Sequence, residues 1–99
     1  MATLWERVRA LEGRTLPSVS GRAEFDIVEV GDDRVRVVPR SSGKPRSPVE
    51  RWRFELAEAL GLTTTDVTPI QIRQAGISEF NPAYVAAIIR AAVQHVPPT

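Results

Sequence analysis

Along the chain, apolar residues switch between helical and strand spacing, and each switch coincides with glycine, proline or a capping residue. Leu4, Val8 and Leu11 share one helical face behind Thr3-Leu4-Trp5-Glu6. That tetrapeptide is a capping-box sequence, in which the Thr hydroxyl and the Glu carboxylate satisfy each other's free backbone donors. Gly13 follows where a left-handed residue closes a helix, so the spacing predicts a helix over 4–12. From Arg14 strand spacing takes over. It predicts a short strand over about 14–19 with Pro17 at a sheet edge, then strands over 24–30 and 34–38 joined by Gly31-Asp32-Asp33. In the last of these, Val35 and Val37 point one way and Arg34 and Arg36 the other, so the solvent face of the sheet carries two guanidinium groups.

The stretch 39–47 is loop chemistry, rich in Pro, Ser and Gly. Ser47-Pro48-Val49-Glu50 then has the form of a second capping box and predicts a helix over 48–60 that buries Val49, Trp52, Leu56 and Leu60 and stops at Gly61. Thr68-Pro69-Ile70-Gln71 and Gly76 bracket a short helix over 69–75. Asn81-Pro82 opens a final helix over 82–95, where Val85, Ile88, Ile89, Ala92, Val93 and Val96 form a continuous apolar stripe. The order α-β-β-β-α-α-α is an α+β fold. One domain over 1–99 is expected, with a small antiparallel sheet of two to three strands packed by about four helices, the first, second and fourth on one face.

A hydrophobic content of 42% with 25% charged residues fits a soluble globular domain. The absence of cysteine excludes disulfides, thiolate nucleophiles and cysteine metal sites. No apolar run has the length of a membrane span, and the N-terminal residues lack the apolar stretch of a signal peptide, so a cytoplasmic location is expected.

Charge distribution is the most informative functional feature. Seven of the thirteen cations lie within residues 34–53, namely Arg34, Arg36, Arg40, Lys44, Arg46, Arg51 and Arg53, and only Glu50 opposes them there. The segment carries +6 in a chain of net charge +1. These residues are the candidate contacts to a polyanion, with a DNA or RNA backbone as the expected partner and an acidic protein as another source of the same charge. The competing reading is that they decorate solvated faces, paired with Glu55 or with acids from the first third of the chain. Helical period sets Arg51 and Arg53 about 200° apart, so at most one of them joins a patch centred on Arg34, Arg36, Arg40, Lys44 and Arg46.

Other chemistry is sparse. The helix pair over 69–75 and 82–95 has a helix-turn-helix order, but its second helix offers few base-reading side chains beyond Asn81, Tyr84, Arg90, Gln94 and His95. That same helix, with its Ala-rich flank, could pack internally or support a homodimer or a protein partner. His95 is the only histidine, and no nucleophile, phosphate-loop or metal motif is present, so neither catalysis nor a cofactor or metal is expected. Trp5 and Trp52 are expected in the core.

The stretches LEGRTLPSVSGRAEFDIVEVGDDRVRVVPRSSGKPR and SEFNPAYVAAIIRAAVQHVP resemble a small bacterial domain found near restriction-type and HNH nucleases. The resemblance spans most of residues 10–97 and implies an accessory module that binds DNA or a partner protein. Its motifs are a Gly-Arg turn, a strand pair, a Ser-Gly-Lys loop and Pro-Ala-Tyr-Val-Ala-Ala-Ile, and it assigns no catalytic residue.

Overall fold

The computed structural model of the chain describes residues 3–94. Thr3 caps α1 (Leu4–Arg9) as its capping sequence requires, its hydroxyl accepting from the Glu6 amide at 3.2 Å. Regular helix stops earlier than the predicted 4–12, and single turn bonds, such as Leu11 N–H to the Val8 carbonyl at 3.0 Å, carry the chain onward. Gly13 then adopts φ 82 and donates its amide to the Ile27 carbonyl, an exit that a side chain would strain. Leu4, Trp5, Val8 and Leu11 are all buried.

Four strands form one antiparallel sheet in the order β1-β2-β3-β4, comprising β1 (Thr15–Pro17), β2 (Glu24–Val30), β3 (Arg34–Pro39) and β4 (Val49–Glu50). Pro17 does lie in an edge strand, where its missing N–H removes no ladder bond. Ile27 pairs with Val37 and Val30 with Val35, with an irregularity between Ile27 and Glu29 that re-phases the solvent side of β2. The apolar face of this sheet, with Phe25, Ile27, Val35 and Val37, joins one core with the helices.

The fourth strand corrects the sequence reading. Val49 pairs with Val35 and Glu50 with Arg34, and the Arg51 amide donates to the Asp33 carbonyl at 2.7 Å. The residues expected to begin a helix at 48 are therefore held in extended conformation. A buried β-branched Val49 and a ladder of backbone bonds outweigh the local Ser47-Pro48 start signal. Helix α2 (Arg51–Ala59) begins three residues late, with Glu50 at its N-cap and no side-chain cap bond. Its buried face is thus Phe54 and Ala57, with Leu56 partly covered. Trp52 and Leu60, expected in the core, are 46% and 51% exposed.

α3 (Pro69–Gln74) carries the full capping box, with Thr68 and Gln71 exchanging bonds of 3.2 and 2.9 Å. α4 (Pro82–Gln94) is the central helix, packed against α1, α2, α3 and β1. Val85, Ile88, Ile89 and Ala92 of its stripe are buried, together with Ala86 and Ala87. The stripe is therefore spent on the domain's own core. His95 and Val96 lie outside the described residues. No helix among the described residues is long and apolar enough to cross a membrane.

Candidate nucleic-acid interface

The solvent face of the sheet carries both guanidinium groups of β3, but acids stand among them. Glu50 is opposite Arg34 in the ladder and Glu29 is opposite Arg36. Arg34 also pairs with Asp33 at 3.1 Å, and that bond raises its pKa further above its ordinary value. Asp26 accepts from the Thr15 hydroxyl at 2.6 Å and pairs with Arg40 at 3.6 Å. This face is a mosaic of both signs.

The helix pair of cations is committed elsewhere. Arg51 pairs with Glu55 at 3.2 Å, donates to the Asp32 carbonyl at 3.2 Å and lies 5.3 Å from the centre of the Trp5 ring. Arg53 pairs with Glu50 at 3.1 Å, donates to the Ile77 carbonyl and stacks 4.4 Å over Trp52. The two arginines thus point to different neighbours, in keeping with their helical spacing. Four of the seven cations are ion-paired. The acids that hold them are Asp33, Asp26, Glu55 and Glu50; the first three are partners of the kind the competing reading names, and Glu50, which holds the half-buried Arg53, is not.

Arg36, Lys44 and Arg46 remain. None of their side chains pairs with an acid among the described residues, although Glu29 faces Arg36 across the ladder. Lys44 and Arg46 line one shallow groove on the loop with Ser42 and Pro45. Gly43 (φ 66) turns this loop and donates its amide to the Pro39 carbonyl at 2.9 Å. The Arg46 amide donates to the Val37 carbonyl at 3.1 Å, anchoring the returning strand of the loop to β3. The seven cations therefore do not share one face; the structure concentrates the uncommitted charge on the loop.

Glu50 is the electrostatic hub between α2 and the sheet. Its carboxylate accepts from the Trp52 indole at 2.7 Å and from Arg53, and these bonds hold its pKa below the usual glutamate value. A carboxyl whose folded pKa is depressed adds stability above its unfolded pKa and loses it as pH falls through the folded one. Trp52 emission is therefore expected to change on acidification with a midpoint below pH ~4.3. Glu50→Gln should remove that transition in a fluorescence titration, and its persistence in the variant would show that Glu50 does not cause it.

Spacing along the sequence gives no sign of a cleft on the other side of the loop, where Tyr84 of α4 meets Phe25 edge-on with ring centres 5.1 Å apart. Nor does it reveal Phe80, which is 88% exposed in the turn before α4. Of the residues of α4, only Ala83 and Gln94 are exposed, and Arg90 donates to the carbonyls of Val67 at 2.7 Å and Asp66 at 3.4 Å. Among the described residues, no cluster of three or more His, Cys, Asp or Glu side chains could hold a metal ion. Comparison of the chain with protein-family models, with curated proteins and with solved structures finds no match.

Proposed function

We propose that this domain is a non-catalytic nucleic-acid-binding accessory module that holds DNA or RNA phosphates through the loop around Lys44 and Arg46, with Arg36 contributing from β3. The supporting observation is the partition of charge. Arg34, Arg40, Arg51 and Arg53 have acidic partners, whereas Lys44, Arg46 and Arg36 have no ion pair among the described residues. Arg40 can join them, because its 3.6 Å pair with Asp26 is exposed, and such pairs hold by about 0–1 kcal/mol. A phosphate competes readily with that carboxylate.

The contacts of Lys44, Arg46 and Arg36, without Arg40, give log K a slope of about −2.7 against log salt on duplex DNA, or about 40-fold weaker binding between ~50 and ~200 mM. Lys44→Ala with Arg46→Ala should reduce the slope to about −1, measured by fluorescence anisotropy with folding checked by circular dichroism. An unchanged slope in that double variant, or no binding by the native chain at ~50 mM salt, rejects the reading.

A second reading, a protein-contact module, draws on Phe80. Its ring stands at the rim of a groove of about 350 Å3 between Pro48, Glu50, Arg53 and Asn81. The alternative of a partner or homodimer contact through helix 82–95 has less surface to use, since the stripe of α4 is internal.

A further inference from the structure

Beside the basic loop, between the β1–β2 turn, the end of β3 and the start of α4, lies a cleft of about 250 Å3. Phe25, Pro39 and Tyr84 supply its apolar and aromatic lining, and Glu24, Ser41 and Arg46 supply polar groups from β2 and from the loop. Ser18, also in the lining, is bonded to the Ser20 hydroxyl and the Ala23 amide, whereas the exposed side chains of Glu24, Ser41 and Arg46 have no hydrogen-bond partner among the described residues and Tyr84 is half-buried with its ring against Phe25. An apolar and aromatic lining with a few polar groups around it is the usual anatomy of a small-ligand subsite. The volume is below the roughly 300–1,000 Å3 of drug-sized sites and suits one planar ring system.

We propose that this cleft receives the base of one unpaired nucleotide, so that the domain prefers single-stranded to duplex nucleic acid. This inference rests on the phosphate-binding reading of the loop and identifies the class of nucleic acid. Arg46 is the residue common to the cleft and to the loop groove it shares with Lys44, so a phosphate held there places its own base at the mouth of the cleft. A base inside a duplex is stacked and paired on both sides and cannot enter a cleft of this size without extrusion. A single strand presents its bases freely, and aromatic rings hold them without regard to sequence. The Glu24 carboxylate adds a preference, since it accepts a hydrogen bond from the exocyclic amine of cytosine, adenine or guanine, which thymine lacks.

The test uses labelled oligo-dC and oligo-dT strands and a blunt duplex of equal length, with anisotropy read across a salt series. The native chain is expected to bind oligo-dC about tenfold more tightly than duplex. Ala83 lines the cleft from an exposed position at the start of α4. Ala83→Leu should fill the cleft and bring single-strand affinity down to the duplex level with the salt slope unchanged. Glu24→Gln, which leaves the cleft open, should narrow the preference for oligo-dC over oligo-dT. Equal binding of duplex and single strand, or single-strand binding indifferent to Ala83→Leu, overturns the cleft proposal while a Lys44- and Arg46-dependent slope keeps the loop reading intact. Failure of the native chain to bind any of the three probes overturns both.

Discussion

Ile88→Ala should cost about 4 kcal/mol of folding stability, seen as a fall of roughly 20 °C in Tm for a domain of this size. Ile88 has no exposure and sits at the middle of α4, which touches the other three helices and β1. Removing its side chain leaves a cavity among residues held by different elements, and no single element can close it by shifting alone. The better helix propensity of Ala returns only a few tenths of a kcal/mol. The control is Ile70→Ala, 66% exposed on α3, where a change within about 0.5 kcal/mol is expected. Urea titrations of both variants make the comparison. A cost below about 1.5 kcal/mol for Ile88→Ala would mean that α4 is not the centre of the core. A Tm that rises with protein concentration would instead indicate that its stripe is completed by a second copy.

The elements that were legible in advance are those whose signals are local and agree with their surroundings. Thr3 and Thr68 both cap helices, and Val35 and Val37 alternate with exposed Arg34 and Arg36 as their spacing requires. Ser47-Pro48-Val49-Glu50 failed because a capping box specifies what a segment does when left to itself. Here β3 offered an open edge, and Val49 gained burial by pairing with Val35. With Val49 in the strand, the expected 49/52/56/60 stripe loses its first member; the face that packs inward is that of Phe54 and Ala57, and Trp52, about 200° from Phe54 on the helix, is left at the surface.

The charge cluster was legible as composition and only partly as geometry. Asp33 beside Arg34 and Glu55 four residues after Arg51 are partners that spacing allows one to foresee. Asp26 is not, because its meeting with Arg40 depends on strand register and on the chain's path after Pro39. The cleft is less legible still. Glu24, Arg46 and Tyr84 are far apart in the chain, and they meet only because the Tyr84 ring of α4 packs on Phe25 of β2 and the loop returns to β3 at Arg46.

Arg53→Met should lower stability by about 2 kcal/mol yet leave the salt dependence of nucleic-acid binding as it is. The guanidinium donates to the Ile77 carbonyl, fastening α2 to the turn between α3 and α4, while its other nitrogens hold Glu50 and its plane covers Trp52. Methionine keeps most of the buried stem and loses all of the donors, so the measured cost is that of the bonds. Lysine should not rescue it, since one ammonium cannot serve a carbonyl and a carboxylate in a planar fork. The ion pair with Glu50, whose carboxylate is exposed, supplies about 1 kcal/mol of this, so a double-mutant cycle with Glu50→Gln should return a small coupling and assign the larger share to the Ile77 carbonyl. Lys44→Ala should behave in the opposite way, with unchanged urea unfolding and a shallower salt slope. If Arg53→Met were to flatten that slope, or Lys44→Ala were to destabilise the fold, the division of one basic segment into cations that hold the domain together and cations that face its partner would be wrong.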